Sequence, residues 1–152
     1  MMNSRNMARV VSNELLFAEV ASAIREGNSV VIKPKGCSML PFIRGERDEV
    51  VLVSPDDIEI YDAVLAQLCT GVYVLHRVME IREGSLVLMG DGNLQGKERC
   101  RKEDVVAKVA EVIRDGHKHD CRAPRYRLMV RMWIRLMPVR RWILAIYKRL
   151  FV

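Results

Sequence analysis

The chain has 152 residues, half of them hydrophobic and 29% charged, with nine glycines and five prolines. That is enough for one domain with a sizeable core, and the composition excludes a disordered, collagen-like or low-complexity chain. The net charge of +6 is unevenly placed: residues 122–152 carry nine basic groups and no acidic one, against 16 basic and 19 acidic groups before them. A duplex-reading body would spread Lys and Arg over its folded surface, so no DNA partner is expected. Cys37, Cys69, Cys100 and Cys121 are widely separated, with no C-x-x-C pair, which points to individual reduced thiols. The first residues lack the apolar run and small-residue exit of a signal peptide. The uncharged runs of the tail are far shorter than the ~20 residues that cross a bilayer. A cytoplasmic protein without a transmembrane helix is expected.

In chain order, residues 13–26 read as a helix, with Ser12 or Asn13 as cap, Leu16, Val20 and Ile24 on one face, and Gly27-Asn28 as the left-handed exit. The pattern then becomes strand-like over 30–33, 49–54, 63–68, 72–78, 86–89 and 105–113, many of these rich in valine. Short turn signals separate the segments, as antiparallel connections require and helical crossovers do not. Helical character returns at Arg125. Arg127, Arg131 and Arg135 fall on one face, opposite Leu128, Met129, Met132, Trp133 and Leu136. Pro138 ends that helix, and a second carries Arg140, Arg141, Lys148 and Arg149 around Trp142, Ile143, Ile146, Tyr147 and Leu150. The expected architecture is mainly β within an α+β class: a helical segment (1–28), a compact antiparallel β body (29–116) and a basic helical pair (117–152).

The residues with chemical potential cluster in the β body. Lys35-Gly36-Cys37-Ser38-Met39-Leu40-Pro41 places a serine in a turn between two strands. Gly36 permits close backbone approach, Pro41 stiffens the exit, and a backbone N–H at or next to Ser38 can converge with its hydroxyl as an oxyanion donor. In Tyr73-Val74-Leu75-His76-Arg77-Val78, alternation sets His76 beside Val74 and Val78, opposite Leu75 and Arg77. It is the one histidine of the strand region, suited to act as a base near neutral pH. Gly90-Asp91-Gly92-Asn93 closes a strand with a carboxylate able to orient an imidazole, although Asp-Gly also suits an ordinary hairpin turn. His117, His119 and Cys121 lack the spacing of a structural zinc site, so the stretch reads as a solvated linker, and neither metal nor cofactor is expected.

These three boxes, in this order, resemble the S24/S26 serine peptidase superfamily, in particular the Ser-His type of its signal peptidase I branch. The likeness covers residues 30–113. The family's nucleophile box is G-x-S-M-x-P, here Gly36 to Pro41; its base box is y-v-x-H-R-v, here Tyr73 to Val78; its third box is G-D-x-N, here Gly90 to Asn93. The resemblance implies a β body of the signal-peptidase and LexA-like type. It also implies a serine endopeptidase with Ser38 as nucleophile, His76 as general base and Asp91 as the residue orienting it. Gly36, Cys37, Met39 and Pro41 would shape a cleft for a leader or precursor peptide. Two Gly-Asp turns of the family are altered here, at 45–49 and at Tyr61-Asp62, and a further acidic residue of the family has only Glu98 or Asp104 as counterpart. The family's membrane anchor has no counterpart, and two readings of the tail stand side by side: a substitute anchor, with Arg127, Arg131, Arg135, Trp133 and Trp142 on the inner face of an anionic membrane, or helices that fold back on the β body or bind a partner with their arginines solvated. The competing readings are an inactive peptide-binding or assembly module of the same fold and a regulatory autoprotease.

Overall fold

The computed structural model describes the backbone of residues 4–151 and the side chains of residues 15–151. Among the described residues the alternating segments become eight strands: β1 (Val30–Ile32), β2 (Glu49–Val53), β3 (Ala63–Gln67), β4 (Tyr73–Arg82), β5 (Ser85–Met89), β6 (Glu98–Arg101), β7 (Val105–Arg114) and β8 (His117–Asp120). All pair antiparallel, in the order β1-β2-β7-β3-β4-β5-β6, with β8 on the C-terminal half of β7. The molecule is α+β with a mostly antiparallel sheet and three α-helices. The sheet runs past residue 116, because the His117–Asp120 stretch is a strand and not a linker. Its side chains are exposed, which is why it carries no apolar period.

β3 is the inner wall of the body. Ala63 and Leu65 face one core, with Val50, Leu52, Val109 and Val112, while Val64 and Ala66 face another, with Val78, Leu86 and Leu88. Each buried Val or Leu contributes about 1.5–3 kcal/mol, so a strand buried on both faces is held more tightly than one with a wet face.

The first helix, α1 (Ser4–Arg25), begins well before residue 13, so Ser12 and Asn13 lie inside it; their side chains fall outside the described residues. Its core contacts are Phe17, Val20 and Ile24, whereas Leu16 points to solvent. Phe17 stacks on Tyr73 at 4.7 Å between ring centroids, anchoring the helix beside β4. The exit is as expected: Gly27 adopts φ 86°, and the Asn28 and Gly27 N–H groups donate to the carbonyls of Ala23 and Ile24.

The C-terminal pair is α2 (Pro124–Arg135) and α3 (Arg140–Phe151), joined through a short 3-10 turn at Met137–Val139. The inward face of α2 is Tyr126, Val130 and Trp133. The expected apolar face is therefore corrected: Leu128, Met129, Met132 and Leu136 are exposed, and Trp133 alone of that set is buried. The aromatic ring and the body's need for a lid outweighed simple periodicity. Trp133 and Leu144 pack on Leu40, two residues from Ser38. No helix among the described residues is long and apolar enough to cross a membrane.

Candidate active site

Ser38 sits in a tight turn between β1 and β2, in which the Leu40 N–H donates to the Cys37 carbonyl and the Ile43 N–H to the Met39 carbonyl. Three clamps fix this loop. The Gly92 N–H donates to the Ser38 carbonyl at 2.8 Å. The backbone approach is so close that a Cβ on Gly92 would strike the Cys37 carbonyl, and one on Gly90 the Ser38 carbonyl, which explains both glycines by space. From β7, Arg114 donates to the carbonyls of Pro41 (3.2 Å) and Phe42 (3.1 Å) and to Asp48 (2.7 Å). Asp48 is fully buried and also accepts from the Arg44 backbone N–H and guanidinium. Burial alone would raise its pKa, but the Arg114 and Arg44 donors outweigh that and hold the carboxyl below its ordinary range.

Ser38 and His76 line one cavity of about 160 Å³, together with Gly36, Met39, Ile43, Tyr73 and Leu75. Of the residues expected to shape a cleft, Gly36 and Met39 do so. Pro41 and Cys37 do not line it. Cys37 is exposed, in a depression shared with Arg47 and Phe151. Among the described residues no hydrogen bond joins Ser38 to His76, and none uses the Ser38 backbone N–H as donor. Catalytic hydrogen bonds commonly tighten only when substrate is bound.

His76 is 6% exposed and its Nδ1 lies 2.8 Å from a carboxylate oxygen of Glu98. The sheet makes this pair. His76 is two residues from Val78 on one face of β4, Val78 is registered with Leu88 on β5, and Leu88 with Glu98 on β6. Since a carboxylate only accepts, Nδ1 is the donor in this bond, and Nε2 is the ring nitrogen not engaged by Glu98.

Asp91 does not orient His76. Its two carboxylate oxygens take the Arg77 guanidinium in a bidentate pair at 2.7 and 2.6 Å. Arg77 is 1% exposed and donates its remaining nitrogen to the Tyr61 carbonyl at 2.7 Å. The reason is the period of the strand: His76 and Arg77 are adjacent on β4 and so point to opposite faces. Burial works against the Arg77 cation, but the facing Asp91 charge more than offsets it, and the pKa lies above the ordinary value. The same turn is held from the tail, where Trp133 Nε1 donates to the Asp91 carbonyl at 2.9 Å and Arg140 to the Asn93 carbonyl at 3.2 Å.

The tail residues separate likewise. Arg127 is taken up by Asp62 (2.7 Å), Glu59 (3.1 Å) and the Ile60 carbonyl, and Trp133 is buried, so neither can meet a lipid surface as expected. Arg131, Arg135 and Trp142 are exposed.

A larger open groove of about 630 Å³ lies between Cys69, Arg99, Cys100 and Arg101. Burial, with the Asp104 charge beside it, pushes the Cys100 thiol there above its ordinary pKa, which disfavours the thiolate. Among the described residues no cluster of His, Cys, Asp and Glu could hold a metal ion.

The carboxylate that meets His76 is Glu98, which the sequence offered only as one of two candidates, with Asp104, for a further acidic role, on a strand too charged to read as one. No protein-family model matches this chain, and no curated protein matches it.

Proposed function

We propose that the chain is a serine endopeptidase of signal-peptidase-like type, acting on an extended peptide segment. The observation that carries this is the convergence of Ser38 and His76 on one cavity, with His76 Nδ1 held by Glu98 and Nε2 left for the hydroxyl. In the proposed reaction Ser38 Oγ attacks the scissile carbonyl carbon as His76 Nε2 takes its proton. The imidazolium, balanced by Glu98, returns the proton to the leaving amine. Water, deprotonated by the same nitrogen, then adds to the acyl carbon; the bond to Ser38 Oγ breaks, Oγ takes the proton back from His76 Nε2, and the acid is released. The Ser38 backbone N–H is the nearest candidate for the oxyanion donor.

The binding mode follows from the open part of β4. Residues 73–76 pair with β3 on one edge but lie beyond the end of β5, whose last pair is Arg77 with Met89. A substrate strand added there is held by backbone hydrogen bonds, and its alternate side chains reach the cavity between Met39, Ile43 and Tyr73. The cavity's small volume favours small side chains next to the scissile bond.

The test is incubation of the protein with a complex peptide mixture, reading new termini by mass spectrometry. Wild type should generate cuts around small residues, while S38A and H76A, each still folded by circular dichroism, should generate none; the drop expected for His76→Ala is roughly 10²- to 10⁴-fold. Cuts that persist in S38A would overturn the proposal, and peptide binding without cuts would assign the fold to recognition alone.

A further inference from the structure

The outer faces of α2 and α3 carry a run of exposed apolar and basic residues that the candidate site does not use. On α2, Leu128, Met132 and Leu136 follow one another at four-residue spacing and are exposed, flanked by exposed Arg131 and Arg135. On α3, Trp142, Ile146 and Leu150 do the same, and Trp142 is 62% exposed. Arg141 stacks over the Trp142 ring at 4.7 Å, Arg149 lies two turns on from Trp142 on the same side, and Lys148 is exposed on the flank. Among the tail's nine basic residues, Arg127 is ion-paired and Arg140 buried, which leaves Arg122, Arg125, Arg131, Arg135, Arg141, Lys148 and Arg149 exposed.

We infer that this face binds peripherally to an anionic lipid bilayer, with the two apolar stripes sunk among the headgroups and the arginines on lipid phosphates. Charge selects this occupant. No acidic residue lies between Arg122 and the C-terminus, so a second copy of the chain would bring like charge against like charge, whereas an anionic bilayer offers charge complementarity and an apolar phase together. The expected set of contacts is changed accordingly: Arg127 and Trp133 serve the inner face, and Leu128, Met132, Leu136, Ile146 and Leu150 join Trp142, Arg131 and Arg135 on the outer one. Inner and outer faces belong to the same helices, so a membrane-bound protein holds the Asp91–Asn93 turn and the Ser38 loop close to the lipid. The inference concerns the surface alone and stands apart from the peptidase reading.

The experiment is co-sedimentation of the full chain with phosphatidylcholine vesicles, with and without about 30% phosphatidylglycerol, at about 0.1 M salt. Binding to the anionic vesicles only, released by about 1 M salt, is expected, with a fall of roughly 10²-fold in partitioning for R131E/R135E. Acrylamide quenching of exposed tryptophan should drop on binding in wild type and show no such drop in W142F. S38A should bind as wild type does, so loss of peptidase activity and loss of lipid binding are separately readable. Equal partitioning to neutral and anionic vesicles, or none to either, would overturn the inference. So would R131E/R135E that remains folded and binds unchanged, or a dimer in sedimentation that W142E dissolves.

Discussion

His76 and Arg77 are neighbours on one strand, each facing a carboxylate, and they do opposite work. The His76–Glu98 pair touches a cavity, and the Glu98 side chain keeps 31% of its exposure; the Arg77–Asp91 pair is dry, with 1% and 2%. A strand turns successive side chains to opposite faces, so a single dipeptide lines a cavity with His76 on one side and buries the Arg77 strut on the other. The lesson is that a charged pair's role follows from its wetness: a pair that meets solvent can exchange a proton with a ligand, and one that does not can only hold position.

The largest expected effect breaks the dry pair. Asp91→Asn leaves the Arg77 cation buried without its counter-charge and should destabilise the fold by about 3–5 kcal/mol in urea denaturation. Replacing both, as R77M/D91L, should restore much of that loss, since a matched apolar pair needs no desolvation of charge. If Asp91→Asn instead left stability intact and removed only activity, Asp91 would belong to the reaction. The wet pair should respond the other way: Glu98→Gln keeps the side chain's shape, leaves the melting curve nearly unmoved, and lowers kcat/KM roughly 10²-fold, about 2.7 kcal/mol, because the imidazolium loses its balancing charge. The smallest effect probes the dry side through Cys121. Burial pushes its thiol up to about 11, so the folded state holds that proton beyond the ordinary thiol pKa of ~8.5. Its contribution is fully present below ~8.5 and is lost as pH rises towards 11; wild type should therefore lose on the order of 2 kcal/mol more than C121A over that range.

Six of the eight strands and the turns between them were legible because valine alternation and Gly, Pro and Asp punctuation report directly on backbone geometry; β8, with every side chain exposed, was not. β6 was not, because Glu98-Arg99-Cys100-Arg101 has only one apolar residue, and its pairing comes from β5. Glu98 therefore stood only as one of two candidates for a further acidic role, and nothing along the chain tied it to His76. Asp91 was misassigned for a related reason: spacing along the chain places a carboxylate near both members of the His76-Arg77 dipeptide and does not say which of the two faces it approaches. The inward face of α2 was likewise invisible, since Leu128, Met132 and Trp133 look equally apolar until the body supplies a socket for one of them beside Leu40.

The place of β7 has a consequence for how the protein is made. Within the sheet, β1 and β2 form one ribbon and β3 to β6 another, and β7 is the strand that joins them. Ser38 belongs to the first ribbon and His76 to the second. During synthesis at about 5–20 residues per second, both halves of the cleft leave the ribosome several seconds before the strand that joins them. A truncated or still-growing chain thus carries Ser38 and His76 without the strand that joins their ribbons, and the cavity they share forms only once β7 has been made.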